Sequence, residues 1–307
     1  AQLYGPDDAP DNVAAIEYES PHLFLRDVAY AGYAHLARSS DGVIADSLNQ
    51  HGEWHPLPGH ALFDAPKATL RLPVEPTPIV PWETDLSKWI GVGDRSKEEN
   101  LGKNITGELQ AAIDRAAAEG ATTIYFREGK YYIGKPIRLH GSVHRIIGMS
   151  SELSFAETDA LAVDKQASVF VLDGLTTNTI VFERFFLFGG WQHPKVCIMD
   201  NRDAVTVLIR NLGWSGARFK RNRPGGRWFV EDVVGSKWGP WTFGENEKMW
   251  AWQLNPESST GPMMVVENGG QARVLGLKTE GRSTHVIAKN EAKVEVLGGV
   301  SYQSWGN

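Results

Sequence analysis

The densest group of side chains suited to chemistry lies between residues 228 and 257. It contains five tryptophans: Trp228, Trp238, Trp241, Trp250 and Trp252. Glu231 and Glu257 lie among them, and Glu280 follows farther along the chain. Flat aromatic rings can stack on sugar rings, and two carboxylates can act as acid and base on a glycosidic bond. The pattern predicts a carbohydrate site with these tryptophans as binding residues and the three glutamates as candidate catalytic residues.

Each of these residues also has a structural interpretation. A single tryptophan can fill a core or a loop, and a single carboxylate can be a solvated surface group. Asp232 alternates with an inward apolar position and is expected to be structural. Glu231 and Glu257 are the preferred acid/base pair because they lie about one coil apart in sequence. Coils stack about 4.8 Å apart, so carboxylates on adjacent coils could meet either the retaining or the inverting separation of glycosidases.

A lyase would need a cation beside a uronate carboxylate and a base, and the candidates are Lys278, Arg273 and Arg282. Lys278 is also counted among the substrate-binding residues. The acidic turn at 200–203 is interpreted as a surface turn and not as a calcium site.

Metal and cofactor chemistry are not predicted. His51, His55 and His60 lie in a segment that Pro56 and Pro58 keep from forming a helix, so they are interpreted as loop residues. The single cysteine, Cys197, excludes an intrachain disulfide and is expected to be buried and inert.

The overall composition is that of a globular protein. Of the 307 residues, 42% are hydrophobic and 22% are charged, which excludes a disordered chain. The net charge of −6 argues against a nucleic-acid partner, which would need a basic face. No apolar run approaches the roughly 18 residues of a membrane span, so no membrane partner is predicted either.

Three regions of the chain differ in residue composition and in the pattern of predicted strands and helices. Residues 1–72 form a β-rich segment that could be the end of another β-helix. Residues 73–99 begin with four prolines in nine residues and are interpreted as an extended linker. Residues 100–307 contain a helix followed by many short strands, and they form the main predicted domain.

One helix is predicted, over residues 105–119. Thr106 is its expected N-cap, and Gly120 ends it. Leu109, Ile113 and Ala116 recur at helical spacing, so they should face a core. A solenoid needs a cap over its open end, and this helix precedes the first predicted coil.

The strands after the helix repeat at a spacing of 20 to 25 residues. The repeat is seen at one apolar position: Leu187, Leu212, Val233, Leu254, Leu277 and Leu297. This period without further helices predicts a parallel β-helix, because the leucine-rich-repeat pattern is missing and a propeller blade is longer. The residues one place earlier form a second column, expected to be an internal polar ladder: Phe186, Asn211, Asp232, Gln253, Gly276 and Val296.

The start of the main domain resembles the opening of pectate-lyase-superfamily right-handed β-helices. The matching stretches are ITGELQAAID at 105–114, GATTIYFREGKYYI at 120–133, PIRL at 136–139 and VHRIIG at 143–148. The usual G-D-G-x-x-D-D-T motif before the helix is replaced by GDRS at 93–96 and KNIT at 103–106. The resemblance implies an all-β, single-stranded right-handed parallel β-helix with an N-terminal capping helix. The β-rich first region adds a similarity to the tandem β-helix plan of family-55 glycoside hydrolases.

Together, the resemblance and the site residues predict an extracellular or cell-surface protein that acts on a polysaccharide or oligosaccharide. Glycoside hydrolysis of a β-glucan or a related glycan is the first expectation. The alternatives are a polysaccharide lyase acting on a polyuronate and a non-catalytic, glycan-binding β-helix. A tailspike-like member of that last class would be a homotrimer.

Overall fold

The computed structural model describes residues 2–5, 12–19, 23–48, 50, 52–56, 69–155, 167–188, 197–215, 218–220, 224–236, 240–258, 261–281 and 283–302. The chain divides into two compact units, Ala1–Leu70 and Arg71–Asn307. Each unit is described separately below.

The first unit consists of short strands. They are β1 (Gln2–Tyr4), β2 (Ala14–Tyr18), β3 (Leu25–Arg26), β4 (Ala29–Ala31), β5 (His35–Ser39), β6 (Ile44–Ala45) and β7 (Glu53–Trp54). β1 pairs with β4, and β2 with β5, in parallel, whereas β5–β6 and β3–β7 are antiparallel. A small core of Leu25, Leu36, Ala37 and Ala45 holds them together. That this segment ends another β-helix stays a prediction.

The second unit is a parallel β-solenoid of about 11 turns. Its first elements are the short 3-10 helices Leu86–Lys88 and Glu98–Asn100, β8 (Trp89–Val92), β9 (Leu101–Asn104), α1 (Thr106–Glu119), β10 (Thr123–Phe126), β11 (Lys130–Tyr132), β12 (Ile137–Gly141), β13 (Arg145–Ser154), β14 (Ser168–Leu175), β15 (Thr179–Phe188) and β16 (Cys197–Asn201). The later strands are β17 (Thr206–Ser215), β18 (Arg218–Lys220), β19 (Arg227–Ser236), β20 (Trp241–Phe243), β21 (Lys248–Ala251), β22 (Leu254–Glu257), β23 (Met264–Val266), β24 (Gln271–Val274), β25 (Leu277–Glu280), β26 (Val286–Ala288), β27 (Lys293–Val296) and β28 (Gly299–Tyr302).

The pairings confirm the predicted parallel β-helix. Within the described part of this unit, every strand pairing is parallel, and the strands form one 14-stranded sheet, one four-stranded sheet and one three-stranded sheet. The core runs along the axis and is built from the inward side chains of successive coils, such as Ile146, Phe182, Ile209 and Val230.

The largest sheet bends at a corner in each coil. Arg184, Asn211 and Asp232 occupy this corner with φ of 62°, 49° and 51°, in the left-handed region. Asn and Asp tolerate this region better than most residues. We call the strand portion before the corner the first arm and the portion after it the second arm. The expected internal polar ladder is wrong, because Asn211, Asp232 and Gln253 are exposed on the outside of the corner.

The apolar column is confirmed for its four central members. Leu212, Val233, Leu254 and Leu277 pair in register on successive coils. The first three are buried, and Leu277 is partly buried against the core. At each end of the column the prediction is wrong by two positions. Phe185, and not Leu187, pairs with Leu212, and Gly299, and not Leu297, pairs with Leu277.

The helix α1 covers the first coil as predicted. It packs on β8, β10 and β12 and buries Leu109, Ala112, Ile113 and Ala116. It ends at Gly120, which has a φ of 67° and donates its N–H to the carbonyl of Ala116. The N-terminus differs from the prediction, because Ile105 holds the cap position and Asn104 Oδ1 accepts the Thr106 N–H at 3.0 Å.

The proline-rich segment that was predicted to be a linker lies along the first arm of the solenoid. We call residues 71–83 the strap. Four hydrogen bonds show its course: Arg71 N to Glu295 Oε1 (2.9 Å), Trp250 Nε1 to Pro73 O (2.9 Å), Thr77 Oγ1 to Glu231 Oε1 (2.5 Å) and Arg145 Nη2 to Val80 O (2.7 Å). The strap therefore runs from the last described coils back toward the first. Beneath it, the outward column of the first arm is buried: Arg145, Val181, Leu208, Phe229, Trp250, Arg273 and Glu295.

Candidate functional site

Two of the predicted sugar-stacking tryptophans lie inside the solenoid. Trp228 and Trp241 are 1% and 2% exposed and belong to the main core. Trp228 Nε1 donates a hydrogen bond to Glu247 at 3.0 Å. Neither ring can reach a ligand on the outer surface. Trp238 lies outside the described residues.

Trp250 and Trp252 lie on the outside of the solenoid and stack on Phe229. The ring centroids of Phe229 and Trp250 are 4.8 Å apart, and those of Phe229 and Trp252 are 6.2 Å apart, with nearly parallel planes. The strap covers this stack, since Pro73 accepts the Trp250 Nε1–H and Trp250 is only 4% exposed. The stack therefore packs against the chain's own strap.

Glu231 also belongs to the strap contact. Its carboxylate accepts the Thr77 hydroxyl and lies 3.3 Å from Arg210 Nε. Glu231 is on the first arm of β19, before the corner at Asp232. Glu257 is in register with Ser236, on the second arm of the same strand. The corner separates Glu231 from Glu257, so the structure does not bring this preferred pair together.

The second arm instead brings Glu257 and Glu280 together. In β22 and β25, Leu254, Pro256 and Thr279 turn inward, so the alternating side chains of Glu257, Lys278 and Glu280 face outward. Lys278 Nζ donates to Glu257 Oε1 at 2.7 Å and also to Glu280 Oε1. We call Glu257, Lys278, Glu280 and Tyr302 the glutamate cluster.

Tyr302 is the member of the cluster that sequence reasoning missed. It follows Glu280 by one coil in register, and its hydroxyl donates to Glu280 Oε1 at 2.7 Å. Lys278 Nζ also lies 5.2 Å from the centroid of the tyrosine ring. The spacing of 22 residues between Glu280 and Tyr302 was the available signal, because it equals one coil of the repeat.

The charges of the cluster stabilise one another. Burial would lower the pKa of Lys278, but its hydrogen bonds to Glu257, Glu280 and Tyr302 outweigh burial and hold the pKa well above its ordinary value. The ammonium is therefore charged at neutral pH. With two carboxylates and one ammonium, the cluster carries a net charge of about −1.

The shared ammonium also limits how far apart the two carboxylates can be. Each contributes an oxygen that lies at hydrogen-bond distance from the same nitrogen. Their separation is thus at most about two hydrogen-bond lengths, roughly 5–6 Å. Retaining glycosidases hold their two carboxyl groups about 5–5.5 Å apart.

The other cationic candidate that the structure describes is engaged elsewhere. Arg273 is 1% exposed and pairs with Glu295 at 2.8 Å. Arg282 lies outside the described residues. Lys278 is thus the one lyase candidate that the described part of the chain places on the outer surface.

No metal site is found within the described ranges, where no group of three or more His, Cys, Asp or Glu side chains could hold an ion. The interpretation of residues 200–203 as a surface turn is wrong for Asp200 and Asn201, which are buried at the end of β16. Asp200 is paired with Arg202 at 3.1 Å, and Asp203 is exposed. His55 is exposed, and His51 and His60 lie outside the described residues. Cys197 is buried, and its Sγ contacts the carbonyl of Met199.

A separate cleft of about 490 Å³ lies beside the strap. It is lined by strap residues 78–83, by His144 and by the turn at 177–179. Burial, together with the neighbouring charge of Arg145, holds the pKa of His144 below its ordinary value. The imidazole therefore stays neutral at pH 7 in the folded protein.

His144 should make the stability of the solenoid depend on pH. The free energy of unfolding is expected to fall as the pH drops below about 6.5, because the unfolded chain takes up a proton at His144 before the folded protein does. Urea unfolding at about pH 7.5 and about pH 5.5 measures this, and His144→Gln should show a smaller difference between the two. A variant with the same pH dependence as the unmodified protein would contradict the assignment.

By its fold, the chain belongs to the class of parallel β-solenoid proteins. Comparison with protein-family models, curated proteins and solved structures found no match to the chain. Among the described residues, no helix is both long and apolar enough to cross a bilayer.

Proposed function

We propose that the chain is a glycoside hydrolase that cleaves an uncharged glycan at the glutamate cluster. The observation that carries the proposal is the pair of outward carboxylates, Glu257 and Glu280, which share the Lys278 ammonium on adjacent coils. The shared ammonium limits their separation to at most roughly 5–6 Å, which is compatible with a retaining mechanism. The resemblance of residues 105–148 to the pectate-lyase superfamily supports a glycan as the substrate, and with it an extracellular location.

The charge of the cluster favours hydrolysis over lyase chemistry. A lyase must neutralise the carboxylate of a uronate, which requires an excess of positive charge at the site. Here Lys278 is already paired with two carboxylates, so the cluster is anionic and would repel a uronate. Neutral sugar hydroxyls can instead donate to the carboxylates and accept from the ammonium.

The hydrogen bonds assign different roles to the two glutamates. Glu280 accepts from both Lys278 and Tyr302, so its carboxylate is held in a fixed position beside the ammonium. Glu280 is therefore the nucleophile. Among the described residues, Glu257 accepts a hydrogen bond from Lys278 alone, so its carboxyl group is the one left to exchange a proton with the substrate and with water. Glu257 is therefore the general acid/base.

The reaction proceeds in two balanced steps. Because the cluster holds two carboxylates, Glu257 must first take up a proton from solvent. Glu257 then gives this proton to the glycosidic oxygen as that oxygen leaves the anomeric carbon, and the Glu280 carboxylate forms an ester bond to the same carbon. Water then attacks this carbon, Glu257 takes a proton from the water, and Glu280 leaves as a carboxylate. The products are an alcohol and a reducing sugar, and Glu257 ends protonated as it began.

Glu280→Gln should reduce turnover by at least about 10³-fold while oligosaccharide binding persists, because the amide keeps the shape but cannot attack the anomeric carbon. Glu257→Gln should also reduce turnover, by roughly 10²–10⁴-fold. Activity is measured as reducing ends released from a panel of β-glucans, with absorbance of unsaturated products from polyuronates as the lyase readout.

Glu119→Gln, an exposed carboxylate at the end of α1, is the matched control and should turn over normally. Detection of unsaturated products would show that the protein is a lyase and would contradict the proposed hydrolase. Glycan binding without turnover in the unmodified protein would select a binding-only solenoid, and a trimer in sedimentation would then support the tailspike-like form of that class.

A further inference from the structure

The strap has the pattern of a stiff, extended rod. One of its faces is exposed at every third residue, and the members of this face are Pro73, Pro76, Ile79 and Trp82. A repeat of three residues is that of the polyproline II conformation. The prolines at 73, 76, 78 and 81 have no N–H for a strand ladder, and they restrict the backbone. The strap therefore lies on the sheet as a rod and is not a further strand of it.

The length of this rod matches the stack of coils beneath it. Its ends are fixed by the hydrogen bond from Arg71 N to Glu295 on β27 and by that from Arg145 on β13 to Val80 O. In the sheet, β13 and β27 are six coil spacings apart, through β15, β17, β19, β21 and β24, which amounts to roughly 29 Å. The nine residue steps from Arg71 to Val80 cover about 28 Å at the polyproline II rise. The strap therefore spans these coils with little slack.

The strap connects coils that do not otherwise touch. In a solenoid each coil contacts only its neighbours, so the end coils can open independently of the central ones. Between its ends the strap is also held by Trp250 on β21, whose Nε1 donates to Pro73 O, and by Glu231 on β19, which accepts the Thr77 hydroxyl. A coil that opened at one end would therefore have to leave a rod that is fixed to coils up to six spacings away.

The last described coil is the one that gains most from this connection. Within the described part of the chain, no strand pairs with the outer edges of β26, β27 and β28. The core is open to solvent at the same place, because Val296 on β27 is 39% exposed whereas its partner Val274, one coil earlier, is fully buried. Glu295 accepts from Arg71 N in the strap and from Arg273 Nη2 on β24 at 2.8 Å. Glu295 thus joins the strap to the last two coils.

We infer that the strap is a brace along the axis of the solenoid, which couples the opening of the last coils to that of the central coils. The glutamate cluster lies on the same coils, since β25 with Glu280 follows β24, and β28 with Tyr302 follows β27. The brace therefore also holds Glu280 and Tyr302 in register. Its bearing on catalysis rests on the proposed function, whereas the brace itself does not.

Native-state hydrogen exchange of the full chain, followed by mass spectrometry, tests the brace. In the unmodified protein, the amides of β24 and β27 should be protected to about the same degree as those of β17 and β19, because a braced unit opens as a whole. Pro76→Gly keeps the four hydrogen bonds of the strap but makes the rod flexible. It should accelerate exchange in β24 and β27 about tenfold relative to β17 and β19. Leu72→Ala, which removes a buried side chain beside Arg273 on β24, should act in the same direction.

Two controls separate the stiffness of the strap from other effects. Pro136→Gly makes the same replacement at an exposed position before β12 and should leave the ratio of the two exchange rates unchanged. Val74→Ala, which truncates a strap side chain that is 51% exposed, should also leave it unchanged. The brace would be overturned if β24 and β27 already exchanged much faster than β17 and β19 in the unmodified protein. An unchanged ratio in Pro76→Gly would overturn it as well.

The outcomes also separate the brace from the proposed function. A ratio that depends on Pro76, in a protein without turnover on any glycan, would uphold the brace and overturn the hydrolase. An unchanged ratio, in a protein whose Glu280→Gln variant loses turnover, would overturn the brace and uphold the hydrolase. If both hold, Pro76→Gly should lose turnover at a lower urea concentration than its circular dichroism signal, because the coils of the cluster open first. Loss of both at one concentration would overturn the link between the brace and the site.

Discussion

Replacement of Ile113 by Asp should leave the solenoid unit unfolded at 25 °C. Ile113 is fully buried on the inner face of α1, the helix that caps the first coil. Loss of a buried isoleucine side chain alone costs about 2–5 kcal/mol. The new carboxylate would add the larger cost of an unpaired charge in an apolar site. Since domains are stable by only about 5–15 kcal/mol, the sum is expected to remove most or all of the stability.

The control for this prediction is a residue on the exposed face of the same helix. Ala111→Asp introduces the same charge at an exposed position and should change the melting temperature little. Ile113→Ala, which creates a cavity without a charge, should lie between the two. Thermal melts followed by circular dichroism compare all three variants. If Ile113→Asp melted like the unmodified protein, α1 would not be the cap that holds the first coil.

The cap and the repeat could be predicted because their signals are local or periodic. The spacing of Leu109 and Ile113 defines a helical face within a few residues, and Gly120 is a residue type that suits the left-handed end of a helix. The column from Leu212 to Leu277 is visible because parallel coils stack like on like. The same logic applied to Asn246, Asn268 and Asn290, which are 22 residues apart and whose last two side chains are hydrogen-bonded, would have revealed a second ladder.

The candidate site could be predicted only in part because it depends on long-range geometry. Composition drew attention to Trp250 and Glu231, but composition does not show that the strap returns to cover them. The corner at Asp232 separates Glu231 from Glu257, and its position depends on left-handed residues such as Asn211 and Asp232. The pairing of Glu257 with Glu280 requires the register of β22 and β25, which the period of the repeat defines only to within a few residues.

The buried ion pair beneath the strap leads to the second large expected effect. Arg145 Nη1 lies 2.5 Å from Glu183 Oε1, and both side chains are almost fully buried. Arg145→Met should cost about 3–5 kcal/mol, because it leaves the Glu183 carboxylate buried without its counter-charge. Urea unfolding of the purified variant measures this loss.

The double variant Arg145→Met/Glu183→Leu decides the origin of the loss. Arg145 has a second role, because its Nη2 also donates to Val80 O in the strap and its guanidinium lies 4.3 Å from the ring of Trp82. If the stranded charge of Glu183 causes the loss, the double variant should recover most of the stability, since well-packed apolar residues can replace a buried ion pair. If the double variant stays as unstable as the single one, the loss arises from the strap, and Arg145 acts chiefly as the clamp that holds residues 80–82 on the first arm.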